Sequence, residues 1–198
     1  ILAIMTGFSV GQEFSKEEKV TNSVILSDQG LNSDTINLTV GHDPFGISIH
    51  RAYYANNDFM MKEENRRVIV GNVEFDIQKS SGDQVKLEVR KSAHARSHEE
   101  AGIRADSIKY NFSMDSSSIT FDPFFSYPQI DLLRDQEVRL SSRIPEGRIV
   151  HLDPTMKRIM DDIENVSNMY DPKMVNHYWE MRPEGLTCLD CEEDSEKK

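Results

Sequence analysis

Cysteine is nearly absent from this 198-residue sequence, which holds only Cys188 and Cys191. Two thiols three positions apart cannot staple a chain of this size, so its core has to come from buried apolar side chains. Long hydrophobic runs are missing too. The most apolar stretch, residues 1–10, is uncharged (Ile1-Leu2-Ala3-Ile4-Met5-Thr6-Gly7-Phe8-Ser9-Val10), yet crossing a bilayer takes roughly twenty residues. It also lacks the basic start and cleavage site of a secretory leader. Positive charge is scarce, with 23 Lys and Arg against 34 Asp and Glu, a formal net charge of -11 and a pI near 5.0. The basic residues cluster no further than the pairs Arg66-Arg67 and Lys157-Arg158, which speaks against nucleic acid or an anionic membrane surface as a partner. No Gly-rich phosphate loop, HExxH or Gly-x-Ser-x-Gly occurs, so the familiar catalytic signatures are missing.

What the sequence does have is alternation of apolar and polar residues with period 2. It is strict in Ile36-Asn37-Leu38-Thr39-Val40, in Val73-Glu74-Phe75-Asp76-Ile77 and in Val85-Lys86-Leu87-Glu88-Val89, the signature of strands with one face on a core and one in water. The stretch 138–153 concentrates the pattern. Val138 to Ile144 and Arg148 to Leu152 are β-type runs on either side of Pro145-Glu146-Gly147, a composition that predicts a hairpin. The phrase recurs at Pro183-Glu184-Gly185. A second hairpin is expected between residues 73–77 and 85–90, across Ser80-Ser81-Gly82-Asp83, and a third through residues 115–117.

One helix is marked by Ser97 with Glu100 three residues on, a capping-box spacing. Ala101, Ala105 and Ile108 give it an apolar edge. Residues 153–163 suggest a second, short helix, and residues 51–64 a loop or short helix. Four of the seven prolines follow aspartate, at positions 44, 123, 154 and 172. Asp bonds back to the local backbone and Pro withholds a ladder donor, so such a pair stops a strand, and the first three each close a strand-like run.

These readings give a mainly β fold class: antiparallel hairpins, roughly ten strands, forming a sandwich or a solenoid-like stacked sheet, with one or two short helices. Residues 1–12 are expected to be the end of a transmembrane helix or a membrane-proximal linker, a core segment being the alternative. Residues 13–191 form the β-rich domain and residues 192–198 a disordered charged tail.

Candidate chemistry is sparse. Cys188-Leu189-Asp190-Cys191 is a CxxC, but three acids follow it and disfavour a reactive thiolate. A zinc site takes four ligands and no second CxxC or Cys/His pair is present. The expectation is therefore a local disulfide between Cys188 and Cys191 or an idle thiol pair, with no catalytic residue, no metal ligand and no cofactor. His94 and His98 have ligand spacing, but His94 precedes the predicted helix, so both read as surface histidines. Phe124, Phe125, Tyr127 and Trp179 are the candidate interaction surface, and a concave pocket around them would point to a small ligand or glycan. A CxxC redox or metal-binding domain is the other alternative.

The runs 143–153, Ile163-Glu164-Asn165-Val166, His177-Tyr178-Trp179-Glu180-Met181 and Gly185-Leu186-Thr187-Cys188-Leu189-Asp190-Cys191 resemble the C-terminal region of bacterial proteins that carry an N-terminal phage-shock-protein C (PspC) domain. Ser97-His98-Glu99-Glu100-Ala101 and residues 108–112 extend the likeness, and the strand style is similar to toast-rack and adhesin-like repeats. The resemblance implies a non-catalytic sensing or interaction domain in envelope-stress response, tethered at its N-terminus to the inner membrane and facing the periplasm. Its implied partners are other membrane or envelope proteins, or a second copy of this chain.

Overall fold

The computed structural model describes residues 14–26, 30–31, 33–42, 59–63, 66–131 and 134–191. The expected membrane segment at 1–12 and charged tail at 192–198 lie outside them. Among the described residues no helix is long and apolar enough to cross a membrane.

The fold is mainly β, as the alternation predicts, with twelve strands in two six-stranded sheets among the described residues. The first sheet holds β1 (Lys16–Ile25), β3 (Phe59–Glu63), β4 (Arg66–Lys79), β5 (Lys86–Ala95), β8 (Phe124–Pro128) and β9 (Glu137–Ile144). Its order is β1-β5-β9-β4-β3, with β8 paired to β4. The second runs β12-β11-β10-β2-β7-β6 and comprises β2 (Thr35–Val40), β6 (Phe112–Met114), β7 (Ser118–Phe121), β10 (Ile149–Leu152), β11 (Tyr178–Arg182) and β12 (Gly185–Cys188). Most pairings are antiparallel, but β4–β9, β2–β10 and β2–β7 are parallel.

Two of the expected hairpins are not hairpins. β4 and β5 do not pair, because β9 lies between them, parallel to β4 and antiparallel to β5. β9 and β10 do not pair either; β9 is central in the first sheet and β10 in the second. The Pro145-Glu146-Gly147 turn therefore carries the chain from one sheet to the other. Arg148 N donates to Pro145 O at 3.2 Å, so proline opens the turn as its first residue and Gly147, at φ +80°, takes the left-handed position. The local turn chemistry is as expected. Its partner strand is not: β9 inserts between β4 and β5, with its alternate apolar residues on the shared core.

Alternation sets the core. Val73, Phe75 and Ile77 of β4, Leu87 and Val89 of β5, and Val138, Leu140 and Ile144 of β9 are buried, and join Ile36, Leu38, Ile119, Phe121, Val150 and Leu152 of the second sheet in one cluster. Phe75 and Phe121 close it, their rings 4.9 Å apart. Burying each such side chain stabilises by roughly 1.5–3 kcal/mol.

Helix α1 (His98–Ser107) begins where the sequence places it, with Ser97 Oγ accepting from Glu100 N. The box is half-made, as the Glu100 carboxylate turns to Arg104 at 2.5 Å instead of reaching back. Ala101, Ala105 and Ile108 are buried, and α1 packs over β1 and β5. The predicted helix at 153–163 is a 3-10 stretch, Pro154–Arg158, capped by Asp153, whose carboxylate accepts from Thr155 N and Oγ1. Those two bonds hold its pKa below the usual value. Asp122-Pro123 and Asp153-Pro154 follow β7 and β10 as strand stops, whereas Asp171-Pro172 opens helix α2 (Asp171–Met174). Within residues 51–64, the described segment 59–63 is strand β3, not helix or loop. The charged run Lys16-Glu17-Glu18-Lys19 belongs to edge strand β1, where such charge discourages further pairing.

Candidate functional site

Two clusters of polar side chains stand out among the described residues. On the water-facing side of the first sheet the outward residues of β4, β5 and β9 form a charged lattice beside a cleft of about 360 Å³ that also includes Asp161 and Asp162. Arg139 pairs with Glu74, directly opposite it across β4–β9. Arg143 holds Glu88, one step diagonal across β5–β9, through Nε at 2.6 Å and Nη2 at 3.0 Å. This bidentate bond lowers the Glu88 pKa and raises that of Arg143. Both carboxylates are thus bound to guanidinium groups, an arrangement suited to holding a fixed charge pattern rather than to passing protons. At the margin of this face burial raises the Glu137 pKa, with Glu74 and Asp135 adding repulsion.

The second place is the open end of the β11–β12 hairpin. In that hairpin Arg182 faces Gly185 and Trp179 faces Cys188, and continuing the register brings His177 opposite Asp190. His177 Nδ1 lies 3.3 Å from Asp190 Oδ1, Tyr178 N donates to the same oxygen at 2.9 Å, and Cys188 Sγ is 3.6 Å from it. Leu189 N donates to Tyr178 O at 2.8 Å. Cys188 and Cys191 are joined by a disulfide, and Cys191 N points at Cys188 Sγ at 3.0 Å. The donor atoms of His177, Cys188, Asp190 and Cys191 all lie within 4.8 Å of one another. Sequence reasoning missed His177 and Asp190 as companions of the cysteines. The two-residue Pro183-Glu184 loop was the available signal, because it fixes which residues face each other.

The expected interaction surface is not a surface. Phe124, Phe125, Tyr127 and Trp179 are 4%, 2%, 1% and 0% exposed. Trp179 sits on β11, between β10 and β12, and donates Nε1–H to Met174 O at 2.9 Å. Phe125 stacks against Tyr127, and the Arg158 guanidinium covers Phe124. A ligand pocket built on these four rings has no opening; an aromatic cluster in a β domain is core first. His94 and His98 go to different partners, Asp135 at 3.7 Å and Glu18 at 2.7 Å, and do not converge.

Residues 60–194 match the family model described as ToastRack found in some PspC. No curated protein and no solved structure matches the chain.

Proposed function

Since the chain belongs to the toast-rack family found in some PspC proteins, we propose that it is a non-catalytic sensing or interaction domain of a PspC-type membrane protein, working outside the cytoplasm in envelope-stress response. The observation that carries this reading is the family match, which runs from β3 through the hairpin end and takes in strands of both sheets, though not β1 or β2. Two features support it. The lattice of Arg139, Arg143, Glu74 and Glu88 is preorganised by cross-strand pairs, and a fixed charge pattern on a rigid sheet favours recognition of a complementary protein face. The Cys188–Cys191 disulfide suits an oxidising compartment.

The test has two arms in cells expressing the protein that carries this domain. A cysteine introduced at exposed Ser81 in a Cys188→Ser/Cys191→Ser background should react with a membrane-impermeant thiol reagent before lysis. Labelling only after lysis would put the domain on the cytoplasmic side. A photo-crosslinker at position 139 should then give one discrete adduct with an envelope protein or a second copy of this chain, lost on Arg143→Glu. A ladder of random adducts that ignores Arg143→Glu would end the interaction reading.

A further inference from the structure

We propose that, once the Cys188–Cys191 disulfide is reduced, His177, Cys188, Asp190 and Cys191 together bind one zinc ion in tetrahedral coordination. The inference stands apart from the sensing role, resting on the hairpin end alone. One imidazole nitrogen, two thiolates and one carboxylate oxygen are a ligand set that zinc takes readily. Zn–N and Zn–O bonds near 2.0 Å and Zn–S bonds near 2.3 Å require tetrahedral edges of about 3.3–3.8 Å. Two of the edges are already in place: His177 Nδ1 to Asp190 Oδ1 at 3.3 Å and Cys188 Sγ to Asp190 Oδ1 at 3.6 Å. No pair of donor atoms is more than 4.8 Å apart.

The sulfur–sulfur edge is the one that must change, from a covalent bond to about 3.8 Å. A dithiol reductant does this by giving two electrons and two protons to the S–S bond, leaving two protein thiols and closing its own disulfide. Zinc then displaces both thiol protons to solvent and forms two Zn–S bonds, one Zn–N bond and one Zn–O bond. The scaffold need not move. Asp190 is anchored by Tyr178 N and Leu189 by Tyr178 O, while Cys191 N already points at Cys188 Sγ, as a donor to a metal-bound thiolate would. All four residues are at least partly exposed, so an ion has a way in.

The full 198-residue chain is to be reduced with a phosphine, which takes oxygen from water and leaves both sulfurs protonated, then dialysed against zinc and analysed for metal. One zinc per chain is expected when reduced and none when oxidised. Cobalt(II) as a probe should give a thiolate-to-cobalt charge-transfer band and strong visible bands of tetrahedral symmetry. His177→Ala and Asp190→Asn should each weaken zinc, in competition with a chelator, by about ten-fold or more. Cys188→Ser should abolish stoichiometric binding; if that variant fails to fold, the reduced and oxidised wild-type chains carry the comparison. Substoichiometric zinc in the reduced chain would overturn the site. So would equal binding by the oxidised chain, or wild-type affinity in both His177→Ala and Asp190→Asn.

Discussion

Pro-Glu-Gly occurs twice, and the chain uses it in opposite ways. At 145–147 it takes the chain out of β9, central in the first sheet, and into β10, central in the second. At 183–185 it folds β11 straight back as β12, with Arg182 facing Gly185. Both glycines have positive φ, +80° at Gly147 and +130° at Gly185, so the tripeptide supplies a reversal in each case and leaves pairing to the flanks. The flanks differ in burial. β9 alternates strictly and lies between two long strands, while β11 and β12 are short and finish at a sheet edge. The first turn is also bonded to the hairpin's leading strand: Gly147 N donates to Met181 O of β11 at 2.8 Å and Met181 N to Arg148 O at 2.9 Å. A turn motif therefore specifies local geometry, and tertiary burial decides whether the result is a hairpin or a crossing.

The sharpest way to break the comparison is to remove what holds the hairpin to the crossing. Trp179 is fully buried, faces Val150 across β10–β11 and Cys188 across β11–β12, and carries the Nε1–H bond to Met174 O. Trp179→Ala should cost about 3–5 kcal/mol through lost transfer energy and the cavity left behind. Denaturant melts would show it as a lower midpoint, and a change below about 1 kcal/mol would mean that the hairpin is an appendage rather than part of the core.

The glycines separate the two turns more finely. A Cβ added at Gly147 would meet nothing within 4 Å, and its φ is near the left-handed well, so Gly147→Ala should cost about 1–2 kcal/mol, and Gly147→Asn less. Gly185, at +130°, is outside that well, where strain approaches the upper part of a roughly 1–3 kcal/mol range. Asn should not rescue Gly185. Thermal melts of the four variants decide the matter; equal costs at the two sites, or a rescue by Asn at both, would remove the distinction.

A smaller effect concerns the charges on β9 that lead into the crossing. Arg143 lowers the Glu88 pKa through its two hydrogen bonds, from an ordinary value of 4.5. A carboxylate with a depressed folded pKa adds stability above its unfolded pKa and loses that stability as pH falls through the folded value. The side chains of Arg143 and Glu88 are 36% and 27% exposed, so the contribution is at most about 1 kcal/mol after solvent screening. Wild type should exceed Glu88→Gln in melting temperature at about pH 7, with the gap closing below pH 4.5. A gap that stays unchanged from about pH 7 down to the lowest pH at which the chain still folds would rule the pair out as its cause.

Period-2 alternation made the strand class and the core residues of β2, β4, β5 and β9 legible from sequence, and the Ser97 cap did the same for α1. Strand pairing was not legible, because Val73 to Ile77 and Val85 to Val89 present the same pattern whether adjacent or separated by β9. The edge strand β1 was hidden by its charges, Lys16 to Lys19, which suit an edge but break the apolar alternation that marked the other strands. At the candidate site Cys188 and Cys191 stood out in sequence, but their neighbours did not. His177 is far from Cys188 along the chain and reaches it only through the hairpin register. The aromatic residues misled for a plain reason: Phe124, Phe125, Tyr127 and Trp179 are ambiguous between ring platform and core, and burial alone separates the two.

Lys79 links the two turns directly and should have the smallest effect. At the end of β4, its Nζ donates to Glu146 Oε2 at 2.9 Å and to Pro183 O at 3.2 Å, one contact in each Pro-Glu-Gly phrase. The side chains of Lys79 and Glu146 are 38% and 54% exposed, which places the ion pair among surface pairs of about 0–1 kcal/mol. The bond to the Pro183 carbonyl needs Lys79 but not Glu146. Lys79→Met should therefore cost slightly more than Glu146→Gln, by a few tenths of a kcal/mol. Their double-mutant cycle should give a coupling of about 0.5 kcal/mol that shrinks in roughly 1 M salt, where the screening length falls to about 3 Å. Equal single costs would remove Lys79 from the hairpin and leave it serving the crossing alone. A coupling that survives high salt would mean that the turns are joined by packing, with the charge incidental.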